Sequence, residues 1–203
     1  MPRRRRVVAI VIAIATVAMG VLVQRTIAGA STTELVTNGG FELPSIPFHS
    51  FAIFHAPIPG WTENGPRTCG IEIQNNVAGT PFEGRQFTEL DSTCSTGIHQ
   101  DLATVKGERY RLSFEFSARP GTGPADNILQ TWWNGRLIDT EQADGTGLTH
   151  TVWRSFSFTV TATGSTTRFA FSDAGVSNSY GTYLDAVSVV ARDRDRDEEG
   201  GDD

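Results

Sequence analysis

The chain has 203 residues and a formal net charge of −6 at pH 7, from 17 Lys and Arg against 23 Asp and Glu. The stretch 31–191 carries nine Arg and Lys against sixteen Asp and Glu, with no basic cluster, which excludes the electrostatic footprint of a nucleic-acid binder and predicts no nucleic acid among its partners. No CxxC, HExxH, GxSxG, EF-hand or phosphate-binding glycine motif occurs, so the common metal, thiol-redox, serine-hydrolase and nucleotide signatures are missing.

Taken in chain order, the first element is an export signal over 1–30. Arg3, Arg4, Arg5 and Arg6 form its cationic start, an uncharged apolar run covers 7–23, and Ala28-Gly29-Ala30 supplies the small-x-small cleavage pattern. The rival reading is an uncleaved membrane anchor, because the run approaches the roughly 17–25 residues that span a bilayer and Arg25 follows it. Both readings put 31–191 outside the cytoplasm, secreted or held at the cell surface, and only the second makes the membrane a partner. Cys69 and Cys94 are the only cysteines, and an even count in an exported chain reads as a disulfide.

Strand patterns fill 31–191. Segment 44–59 has none, although Phe48, Phe51, Phe54, His49 and His55 make it aromatic for a loop; such rings either serve a function or plug the end of a sandwich. Strands are expected over 70–75, 86–91, 98–105, 109–118, 128–133, 136–140, 152–160, 167–171 and 183–190. The clearest is 109–118, where Tyr110, Leu112, Phe114, Phe116 and Ala118 alternate with Arg109, Arg111, Ser113, Glu115 and Ser117. Asn134-Gly135 suits both positive-φ positions of a type I′ turn and predicts a hairpin. No window carries a sustained helical stripe. The fold class is therefore all-β, a two-sheet antiparallel β-sandwich or jelly roll, in one domain over 31–191. Residues 192–203 alternate Arg and Asp before an acidic finish, and read as a solvated tail.

Several segments, in this order, resemble a known family: Asn38-Gly39-Gly40-Phe41-Glu42, Ile58-Pro59-Gly60-Trp61, the run 83–91, Tyr110-Arg111-Leu112-Ser113-Phe114, and Tyr183-Leu184-Asp185-Ala186-Val187-Ser188-Val189. The chain is similar to the galactose-binding-like β-sandwich superfamily, and within it to secreted cell-wall domains of unknown function that are themselves similar to carbohydrate-binding modules. The resemblance implies a non-catalytic module, a monomer, that binds a polysaccharide of a cell wall or extracellular matrix. It also implies a structural calcium ion where the first and last strands meet, held by Glu42 and Asp185. Two other classes use the same sandwich, a protein-binding adhesive domain and a glycoside hydrolase.

The candidate sugar site starts from Trp132 and Trp133, which as strand neighbours must point to opposite faces of a sheet. The family pattern makes Trp133 the core ring and leaves Trp132 as a platform, with Gln130 on the same side. Arg111 and Glu115 join them if the two strands are adjacent. Trp61 and Trp153 are expected in the core. Glu89 and Asp91 share one strand face about 7 Å apart, the spacing of a glycosidase carboxylate pair, but nothing local closes the site that would raise the pKa of one of them.

Overall fold

The computed structural model describes residues 33–65 and 68–192. The expected export signal, and the charged tail beyond Arg192, lie outside the described residues. Eleven strands follow one another: β1 (Ser50–Phe54), β2 (Thr62–Glu63), β3 (Ile71–Asn75), β4 (Phe87–Glu89), β5 (Gly97–Ala103), β6 (Arg109–Ser117), β7 (Ile128–Trp133), β8 (Arg136–Gln142), β9 (Arg154–Thr161), β10 (Thr166–Asp173) and β11 (Tyr183–Ala191). The described residues contain no helix.

The strands form two antiparallel sheets, one in the order β1-β3-β4-β11-β6-β9 and one in the order β2-β5-β10-β7-β8. Alternation explains why the sheets face each other. On β6 the side chains of Leu112, Phe114 and Phe116 are buried and those of Arg109 and Arg111 are exposed, so one face joins the core and the other meets solvent. Phe41, Trp61, Ile98, Leu129, Trp133, Phe169, Phe171, Leu184 and Val189 fill the space between the sheets. The Asn134-Gly135 turn closes the β7–β8 hairpin with φ of 50° and 76°, the expected signature of a type I′ turn.

Two expectations need correction. Segment 44–59 is not all loop, since β1 lies within it and pairs with β3 from Ser50↔Asn75 to Phe54↔Ile71. The sequence shows no clear alternation there because β1 is an edge strand, so its pairing with β3 and not a buried face sets its conformation. Of its aromatics, Phe54 packs against the core, whereas Phe48 and Phe51 remain exposed at 67% and 56%. Trp153 is also outside the core. Its ring meets Phe87 and Phe82 edge-on, and its Nε1 donates to the Thr80 carbonyl at 3.0 Å. That places it with Phe87 and Tyr183 in a smaller cluster outside the six-stranded sheet, covered by the β3–β4 connection.

Candidate ligand-binding cleft

At one end of the sandwich, the connections after β3, β6 and β10 enclose a cleft of about 460 Å3 lined by Ala78, Arg119, Thr122, Gly123, Asp126 and Tyr180. This is within the volume range of small-ligand sites, roughly 300–1,000 Å3. Three sets of local interactions build it. Arg119 follows β6, and its backbone N–H donates to Asn127 Oδ1 at 2.9 Å. The fully buried Asn127 in turn donates through Nδ2 to Thr122 Oγ1 and the Gly123 carbonyl, both at 2.8 Å. One amide thus shapes the whole 119–127 loop, as asparagine does in turns.

The opposite wall is the β10–β11 connection. Asp91 Oδ2 accepts from the backbone N–H of Asn178 at 2.8 Å and of Ser179 at 2.9 Å. Those bonds hold Ser179 at φ 68°, a left-handed conformation that costs a non-glycine residue on the order of 1 kcal/mol. A Cβ at Gly181 would lie 2.5 Å from the Asp91 Cβ, so only glycine allows this approach. Asn178 Nδ2 donates to Asp126 Oδ1 at 2.7 Å and ties the two walls together. Tyr180 is left half exposed, at 50%, with the Arg119 guanidinium 4.8 Å from its ring centroid.

The disulfide belongs to this scaffold. Cys69 and Cys94 are bonded, with Cα atoms 5.2 Å apart, which joins the start of β3 to the β4–β5 connection. That connection carries Asp91 and Ser95, and the Ser95 N–H donates to Ser177 Oγ at 2.9 Å. The cross-link therefore stiffens the segment on which the Tyr180 wall rests.

Beneath the cleft is a buried polar row on the outer face of the six-stranded sheet. Pairing sets Glu72 opposite Glu89 and Glu89 opposite Tyr183. Arg119 Nη1 donates to Glu89 at 2.7 and 2.6 Å, the Gly181 N–H adds a bond at 2.9 Å, and Gln74 Nε2 donates to both glutamates. Glu89 therefore carries the charge that Arg119 balances. Burial, then the nearby Glu89 carboxylate, push Glu72 up to about 8, and burial raises Glu89 to about 7 against the opposing pull of Arg119. Burial also raises Asp173 to about 6, where Thr182 Oγ1 and the Gly175 N–H donate to it at 2.7 and 3.2 Å.

The expected sugar patch is not assembled as the sequence suggested. Trp133 enters the core, 4% exposed, with Nε1 donating to the Thr161 carbonyl at 2.9 Å, and Trp132 is half-buried on the outer side of the five-stranded sheet together with Gln130. Arg111 and Glu115 lie on β6, which belongs to the other sheet. They point away from the core on the opposite side of the sandwich, so they cannot border Trp132. Glu115 instead accepts from Ser155 Oγ at 2.5 Å. Beside Trp132 stand Ala170, its partner in register, and His99 beyond it. Burial, then Arg168, lowers the His99 pKa.

Glu42 and Asp185, the residues expected to hold a calcium ion, both accept hydrogen bonds from backbone N–H groups. Glu42 Oε1 accepts from the N–H groups of Arg85 and Gln86 at 2.7 and 3.0 Å. Asp185 accepts from those of Phe82, Glu83 and Ala186 at 2.8, 3.1 and 2.7 Å. A calcium ion, which takes six to eight oxygen ligands, would share Glu42 Oε1 and the Asp185 oxygens with these donors. Among the described residues no group of three or more His, Cys, Asp or Glu side chains converges on a metal position. The Glu89/Asp91 pair also separates, since Glu89 binds Arg119 while Asp91 binds the 178–179 backbone. The closest functional precedent in the sequence was the strand alternation that puts Glu72, Gln74 and Glu89 on one face. Tyr180 and Asn178 carried no signal beyond membership of a polar loop.

The two-sheet topology defines a class of fold, an antiparallel β-sandwich. No family model matches the chain. Over 163 residues it is 29% identical to the multifunctional-autoprocessing repeats-in-toxin of Vibrio cholerae serotype O1, and over 164 residues 29% identical to the protein of that name from Vibrio vulnificus. Both alignments take in 78% of this chain, which spans about 3% of the length of these curated relatives. Among solved structures, the fold is similar to that of TmCBM61 in complex with beta-1,4-galactotriose, with a TM-score of 0.51 and 15% identity over 79% of this chain and 99% of that one.

Proposed function

We propose that this protein is a non-catalytic carbohydrate-binding module of an exported chain, and that it holds a polysaccharide in the cleft between Arg119, Asp126 and Tyr180. The observation that carries the reading is the composition of that cleft: a half-exposed aromatic ring bordered by a carboxylate, a hydroxyl and a guanidinium. An aromatic face packs against the C–H face of a sugar while the polar groups bind its hydroxyls. The bonds of Arg119 to protein run through Nη1, which leaves the remaining N–H donors of its planar fork for a ligand. Support also comes from the shared fold with a module that is seen in complex with a galactotriose. Hydrolysis is disfavoured by the same geometry. Asp126 is the one carboxyl group among the described residues that line the cleft, whereas a glycosidase needs two, roughly 5–10 Å apart around the scissile bond.

A second reading places the sugar on the outer face of the five-stranded sheet, at Trp132 and Gln130. It is favoured by Ala170, which leaves a shallow floor between Trp132 and His99. Affinity electrophoresis of residues 31–203 against a panel of soluble polysaccharides decides between the two. Loss of a stacking ring at a binding site costs about 1–2 kcal/mol or more, so Tyr180→Ala should weaken retention by about tenfold or more, while Trp132→Ala leaves it unchanged. The reverse pattern moves the site to the sheet face. Retention of no polysaccharide by the wild-type domain removes the carbohydrate-binding reading.

A further inference from the structure

We infer that the cleft at Arg119 and Tyr180 selects an uncharged glycan and rejects chains bearing uronate or sulfate groups, a specificity that rests on the carbohydrate-binding reading above. The argument is a count of charges and of their partners. Among the described residues Arg119 is the one cation lining the cleft, and its charge is already balanced, because Nη1 meets both oxygens of Glu89 at 2.7 and 2.6 Å. An anionic sugar would have to take Arg119 from a fully buried carboxylate, and an uncompensated charge would then be left in the sheet.

The other ionisable groups around the cleft are acids. Asp126 is on its rim. Asp91 is buried beneath the Asn178 and Ser179 turn, with Asp173 near enough to feel its charge. A uronate or sulfate entering here meets like charge from the rim and from below, and juxtaposed like charges discriminate strongly at an interface. Cationic sugars are not favoured in their place, since the carboxylates are committed to protein donors. Asp126 accepts from Asn178 Nδ2 and from the Gly123 N–H at 3.0 Å. Asp91 and Asp173 each accept from donors in the 175–182 segment. What the cleft still offers is an aromatic face, the spare guanidinium N–H donors and the Thr122 hydroxyl. That set matches the hydroxyl groups of an uncharged sugar.

The test uses residues 31–203 and isothermal titration at low ionic strength, with galactan, xylan and galactomannan as uncharged probes, polygalacturonate and chondroitin sulfate as anionic probes, and chitosan as a cationic one. Binding to at least one uncharged chain is expected, with both anionic chains about tenfold weaker or more. The gap should narrow in about 1 M salt, where the Debye length falls to about 3 Å. Glu89→Gln frees the charge of Arg119 and should raise affinity for polygalacturonate. Because Glu89 is buried and that variant stands to lose stability, Asp126→Asn on the half-buried rim supplies an independent arm, and it too should raise anionic binding while keeping the bond to Asn178. Anionic chains that bind as tightly as the best uncharged one, or a preference for chitosan, overturn the inference. If Tyr180→Ala abolishes that binding as well, the cleft remains a sugar site of different specificity. Failure to bind any probe overturns the site and its specificity together.

Discussion

Stability should fall as pH rises from 5 to 9, and Glu72 should be the largest single contributor among the carboxyl groups whose pKa is raised. Its side chain is 6% exposed, it faces Glu89 across two paired strands, and its folded-state pKa is raised from 4.5 to about 8. Below pH 4.5 the folded and unfolded chains both hold this proton and the stabilisation is complete. Between 4.5 and about 8 the unfolded chain releases the proton and the folded chain keeps it, so unfolding becomes progressively easier. At about 1.4 kcal/mol for each tenfold change, the loss across that window approaches about 5 kcal/mol, which corresponds to a drop in Tm on the order of 10 °C for a domain of this size. Differential scanning calorimetry of the wild type and of Glu72→Gln, from pH 5 to 9, measures it. The amide cannot ionise, so the variant should lose the share of the dependence that Glu72 supplies and retain that of Glu89, Glu141 and Asp185, each raised to about 7, and of Asp173, raised to about 6. A wild-type Tm that is flat over this range, or a Glu72→Gln protein with the full drop, refutes the raised pKa of Glu72 as a source of the dependence.

Three further outcomes follow from the packing and the cross-link. Reduction of the Cys69–Cys94 bond, or its replacement by Ser at both positions, should destabilise the fold by about 3–4 kcal/mol in the chain-entropy model for a separation of 25 residues; it should also weaken glycan retention, because the loop that it pins supports the Tyr180 wall. Denaturant titration with and without reductant reads the first effect, and affinity electrophoresis the second. Trp133→Ala should cost about 3–5 kcal/mol by chemical denaturation, as expected when a buried ring is removed from a packed core, whereas Trp132→Ala should cost much less. Because Glu42 and Asp185 are held by backbone N–H donors, Tm should be the same in chelator and in added calcium; a rise with calcium would show that these carboxylates exchange their hydrogen bonds for the ion.

Local chemistry made much of the architecture legible. Alternation along β6 and β9, the Asn134-Gly135 turn and the opposed faces of Trp132 and Trp133 depend on residues one or two positions apart, where strand geometry decides which way a side chain points. The even cysteine count predicted the disulfide by the same kind of short-range argument. What the sequence could not express is which strands lie side by side, since the hydrogen bonds of a sheet carry no residue-specific code. That choice put Arg111 and Glu115 on the opposite side of the sandwich from Trp132, and it brought Glu72 to Glu89 and both beneath Arg119. The cleft is the extreme case. Tyr180 and Asn178 owe their positions to Asp91, nearly ninety residues earlier, and to Asp126, about fifty residues earlier, through bonds made only after both sheets have formed. Strand pattern and turn chemistry therefore determined the class of fold and the inward ring at Trp133, whereas tertiary pairing alone decided where a ligand can be held, because that site is built from loops whose neighbours in space are remote in the chain.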